Sequence, residues 1–83
     1  MRDSIKAKII ALIRKTIDDE SLVIVEETNL VNELELSSLE ILSLLGRLEV
    51  EYNTEISDSV LRRMTTVGSM IDVVMEQLGG SMR

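Results

Sequence analysis

Eighty-three residues carry a net charge of -6 and include no Cys, no His, no Pro, no Phe and no Trp. Without Cys there is no disulfide framework, thiolate nucleophile or zinc-thiolate site, and without His the usual general base and transition-metal ligand are missing. The chain is therefore expected not to be an enzyme, and its length supports one domain, 1–83. The core must be aliphatic, because Tyr52 is the only aromatic residue.

A proline-free composition rich in Leu, Ile, Val and Met favours helices. No apolar run approaches membrane-spanning length and no signal-peptide pattern opens the chain, so a cytoplasmic protein is expected. The charge is unevenly spread. Residues 1–17 carry five basic residues against Asp3, a net of +4. Residues 18–61 carry twelve carboxylates against Arg47, a net of -11, and residues 62–83 return to +1. An acidic middle excludes nucleic acid as the main partner and favours proteins with basic patches.

Residues 3–17 read as the first helix. Ile5, Ile9, Leu12, Ile13 and Ile17 recur at spacings of three and four, with Asp3 or Ser4 as its cap. Residues 18–36 form a long connection. Leu22, Ile24, Leu30 and Leu34 are its apolar anchors, with Val23, Val25 and Val31 as helpers. Leu-Val-Ile-Val at 22–25 also has strand character, but no pairing partner is evident, so an ordered loop is expected.

The second helix spans 38–52. Ile41, Leu42, Leu44, Leu45, Leu48 and Tyr52 form one broad apolar arc, and Glu40, Ser43, Gly46, Arg47, Val50 and Glu51 lie opposite. Gly46 in mid-helix costs about 1 kcal/mol relative to Ala. It is either a point of close approach for a partner or a tolerated surface residue. Val50 is either a contact or a lone surface apolar group. After a turn, Ser57 caps a short third helix that ends near Met64. Thr66 caps a fourth carrying Val67, Met70, Ile71, Val74 and Leu78, with Gly79-Gly80 as its stop and a frayed tail over 78–83. The expected fold is all-α: a small four-helix bundle, three longer helices and a short third one, with a long first loop.

The chemistry concentrates at Ser37-Ser38-Leu39-Glu40. Ser37 as N-cap and Glu40 at the third helical position make a capping box. Ser38 then sits at the first helical position with a spare hydroxyl, at a helix end that attracts anions such as phosphate. A serine at a helix start is ordinarily only a cap, so spacing alone leaves both readings open.

Four segments in the right order resemble the acyl carrier protein family over about residues 3–78. Ser37-Ser38-Leu39 stands where the family has Asp-Ser-Leu, and Leu30-Val31-Asn32-Glu33-Leu34 looks like its approach to that motif. Leu48-Glu49-Val50-Glu51-Tyr52-Asn53-Thr54-Glu55-Ile56 resembles Leu-Glu-Glu-Glu-Phe-Asp-Thr-Glu-Ile, and Thr65-Thr66-Val67 resembles the start of the last helix. The resemblance implies a 4'-phosphopantetheine arm, drawn from coenzyme A and joined through a phosphodiester to Ser38. Acyl groups would ride on its thiol as thioesters, in fatty-acid, polyketide or another specialised synthesis. It also implies a monomer whose partners are a phosphopantetheinyl transferase and acyl-processing enzymes with basic docking patches. By position these would touch Glu40, Arg47, Glu49, Glu51, Glu55 and Asp58.

The departures from the family pattern are Glu35 for a glycine, Ser37 for the aspartate, Ser43 for an acid, Arg47 as an added cation, Ser57 for a proline and Arg62-Arg63 in the third helix. They point to a specialised pathway. Two other carrier-like readings stand beside this one, an unmodified protein-interaction module and an aminoacyl or peptidyl carrier. A small hydrolase would need a base to activate Ser37 or Ser38, and without His only a carboxylate such as Glu40 could serve. Asp18-Asp19-Glu20 lacks the ligand spacing of an EF-hand.

Overall fold

Helix α1, Arg2–Ile17, opens a computed structural model that describes residues 1–19 and 21–80. Ile5, Ile9 and Ile13 form its buried stripe, as the spacing predicts. Neither Asp3 nor Ser4 caps it. Met1 is the N-cap residue, with no side-chain cap hydrogen bond, and Asp3 lies inside the first turn, where its charge suits the dipole. Asp18 ends the helix in the left-handed region, and its N–H donates to the Arg14 carbonyl at 2.8 Å.

The long connection is an ordered loop. Its only β pairing among the described residues is an isolated bridge between Asn29 and Thr66. Ile24 and Leu30 are buried and Leu22 and Leu34 are half-buried against the core, but Val23, Val25 and Val31 face solvent. Those three valines do not assist the anchors; Ile24 and Leu30 hold the stretch from inside, together with backbone hydrogen bonds. The Leu30 N–H donates to the Thr65 carbonyl, Val67 N–H to Thr28 and Gly68 N–H to Glu26, at 2.9, 3.1 and 2.8 Å. A Cβ on Gly68 would lie 3.2 Å from the Glu26 carbonyl oxygen, so glycine marks the point of closest approach. Leu36, not singled out from the sequence, is buried.

Helix α2, Ser38–Tyr52, buries Ile41, Leu44, Leu45 and Leu48. Asn53 closes it in the left-handed region. The third helix is of the 3₁₀ type, Asp58–Arg63, with Ser57 as its cap. Helix α3, Val67–Gly80, is capped by Thr66, whose Oγ1 accepts the Ser69 N–H at 3.1 Å while Ser69 Oγ accepts the Thr66 N–H at 2.9 Å. Gly79 and Gly80 are its last described residues, and no glycine among the described residues is left-handed. Leu78, expected in a frayed tail, is helical and packs half-buried on the core, while 81–83 lie outside the described residues.

Helix α1 packs on α3 and α2, and the 3₁₀ helix bridges α2 and α3. Arg2 joins three parts of the chain. Its guanidinium contacts Glu26 in the loop at 2.5 Å and Asp72 on α3 at 2.8 Å. The hydrogen bond from Arg2 holds the Glu26 carboxyl below the usual carboxylate range. A depressed folded value stabilises the fold above the unfolded value of 4.5, and that contribution is lost as pH falls through the folded value. Arg2→Ala should therefore flatten the loss of stability below pH 4.5 in thermal melts, and an acid limb as steep as the parent's would contradict this assignment.

Candidate functional site

The start of α2 is built as its four residues require. Ser37 is extended (φ -80°, ψ 165°), its Oγ accepts the Glu40 N–H at 3.2 Å, and its own N–H donates to Glu40 Oε1 at 2.8 Å. Both halves of the capping box are present, so Ser37 and the Glu40 carboxylate are engaged with the backbone. Ser37→Ala should cost about 1 kcal/mol in denaturant unfolding. A loss indistinguishable from zero would mean that the cap contributes nothing.

Ser38 is the first helical residue, exposed, and its hydroxyl has no hydrogen-bond partner among the described residues. The Ser38 and Leu39 N–H groups likewise find no acceptor there, as expected ahead of the first intrahelical bond, Ile41 N–H to the Ser37 carbonyl. A free hydroxyl flanked by free N–H groups at a positive dipole end suits a phosphodiester. No buried carboxylate or competing side-chain bond must be displaced to place one on Ser38. The residues present fit a phosphopantetheine.

Around this point the outward face of α2 is unevenly apolar. Leu39 is 78% exposed and Val50 84%, with Ser43, Gly46 and Arg47 between them. The exposure of Leu39 was not drawn from the sequence, although it falls opposite the Ile41–Leu48 arc on a helical wheel. The expected recognition residues divide into two groups. Glu51 is paired with Lys8 at 3.5 Å, Glu49 accepts the Ile56 N–H at 2.8 Å, and Glu40 is held in the capping box. Arg47, Glu55 and Asp58 are exposed, with no ion pair among the described residues. In the 3₁₀ helix, Arg63 is drawn onto Glu76 of α3.

Comparison with known proteins places the chain in a family. The sequence model of the phosphopantetheine attachment site matches residues 7–74, which includes all of α2 and most of α1 and α3. The chain belongs to the acyl carrier protein family. It is 28% identical over 81 residues to an acyl carrier protein of a Picosynechococcus species, covering 98% of this chain and 100% of that one. It is 26% identical over 78 residues to the acyl carrier protein of Thermotoga maritima, covering 94% and 96%. The solution structure of a holo acyl carrier protein from Geobacter metallireducens superposes with a TM-score of 0.75 at 26% identity, covering 93% of this chain and 88% of that one. Membership brings the cofactor with it, a covalently attached 4'-phosphopantetheine. It also accounts for a chain without His or Cys, because the reactive sulfur belongs to the cofactor. Among the described residues no helix is long and apolar enough to cross a membrane.

Proposed function

We propose that the chain carries acyl intermediates as thioesters on a phosphopantetheine arm attached to Ser38, as a cytoplasmic monomer serving a specialised biosynthetic pathway. The observation that carries this reading is the division of labour between the two serines. Ser37 is consumed by the cap, and Ser38 presents a free hydroxyl at an exposed helix end. When bound, the cofactor supplies the thiol. The chain's own residues hold the acceptor oxygen clear of local hydrogen bonds, present two N–H groups beside it and keep the helix start rigid through the capping box. The fold carries; its partners catalyse.

Partner docking is assigned to α2 and the turn after it. Glu40, Arg47, Glu51, Glu55 and Asp58 are the proposed contacts. Arg47, Glu55 and Asp58 are the ones free to meet a partner's charge without first breaking an internal pair. Exposed ion pairs of this kind are weak and salt-screened, which suits brief docking with several enzymes.

The missing cysteines make the test simple. The apo chain has no thiol to titrate. Incubation with coenzyme A and a broad-specificity phosphopantetheinyl transferase, followed by removal of coenzyme A, should give one titratable thiol per chain. A folded chain that gains none with several transferases would overturn the carrier reading in favour of an unmodified interaction module.

A further inference from the structure

Among the described residues three non-glycine residues have a positive φ: Asp18, Asn53 and Glu35. Asp18 and Asn53 close α1 and α2, and both are residue types that tolerate the left-handed region. Glu35, at φ 55°, is not such a residue type. It ends the hydrogen-bonded turn over 30–34, with its N–H donating to the Val31 carbonyl at 3.1 Å and the Leu36 N–H donating to the Leu30 carbonyl at 3.0 Å. That is a position where glycine is strongly favoured, and a long side chain there is strained. Turn geometry alone would be better served without a side chain.

Glu35 is also, with Glu27, one of the two carboxylates between residues 26 and 40 that no internal partner engages among the described residues. Glu33 Oε1 accepts the Asn29 N–H at 3.1 Å, Glu40 Oε1 accepts the Ser37 N–H, and Glu26 is held by Arg2. The exposed Glu35 carboxylate has no hydrogen bond or ion pair among the described residues. It stands three residues before Ser38 on a short, pinned segment, since Leu36 between them is buried and Ser37 is locked in its cap. A side chain kept at a strained position without an internal partner points to a partner outside.

We propose that Glu35 is a recognition residue for the loading of Ser38, its unpaired carboxylate being read by a cationic group on the phosphopantetheinyl transferase. The inference rests on the carrier reading above. It makes Glu35 a binding determinant rather than a catalytic residue, so its loss acts on KM and leaves kcat in place. Attachment kinetics with coenzyme A and a transferase that loads the parent chain, on Glu35→Gln, Glu35→Gly and Glu35→Lys, separate the possibilities. Glu35→Gln keeps the strain and removes the charge. Its KM should rise about three- to fivefold with kcat and melting temperature unchanged, as expected for one exposed charge pair. The rise should vanish at high salt. Glu35→Lys should raise KM further, by about tenfold. Glu35→Gly should raise KM like Glu35→Gln while its melting temperature climbs by about 5 °C, because the strain is gone. Loading of Glu35→Gln at the parent's KM would overturn the inference while leaving the carrier reading intact. Failure of the parent chain to load with any transferase would overturn both.

Discussion

Ser38→Ala should remain wholly unmodified after incubation with coenzyme A and transferase, with no mass adduct and no titratable thiol. The effect is all-or-none because the substitution removes the only oxygen proposed to form the phosphodiester. The fold should not change. Ser38 is exposed, its hydroxyl bonds to nothing among the described residues, and the capping box is made by Ser37 and Glu40. A surface substitution free of such features shifts stability by within about 0.5 kcal/mol. Ser37→Ala should behave in the opposite way, loading normally on a slightly less stable fold. The pair of variants separates cap from acceptor, which the adjacent serines otherwise confound. If Ser38→Ala loaded and Ser37→Ala did not, the roles would be reversed, and the cap geometry would have misdirected the assignment.

Leu48→Ala should destabilise the domain by about 3 kcal/mol, the loss expected on emptying a fully buried leucine site. Leu48 is 0% exposed on α2. Small domains have only about 5–15 kcal/mol in total, and a domain of this size loses roughly 4–8 °C of melting temperature per kcal/mol. A fall of about 12–24 °C is therefore expected in calorimetry. Val50→Ala is the control, because Val50 lies two residues further along the same helix at 84% exposure. It should melt within about 3 °C of the parent. Equal losses for the two would mean that α2 is rotated from the orientation that places Ser38 and Leu39 outward.

The helices were legible because their apolar residues repeat at helical spacing. Ile5, Ile9 and Ile13, and Ile41, Leu44, Leu45 and Leu48, were read as buried faces and are buried. The capping box was legible because it is encoded in four adjacent residues. The loop was only half legible. Val23, Val25 and Val31 look like helpers to the apolar anchors, but Ile24 and Leu30 turn inward and leave them exposed, while backbone hydrogen bonds join the loop to the start of α3. Such bonds join residues about forty positions apart and leave no mark in local composition. The start of α1 differs from expectation because a capping residue states only a preference, and the helix already begins at Arg2, ahead of Asp3 and Ser4. The left-handed backbone at Glu35 was hidden for the converse reason, since glutamate gives no local hint of positive φ. Only the departure from a family glycine pointed to it.

The most direct test of the account is to load the chain from coenzyme A and locate the adduct by fragmentation of the intact protein. A single phosphopantetheine is expected on Ser38 and none on Ser37. An adduct on Ser37 or on any other residue, with Ser38 unmodified, would contradict it.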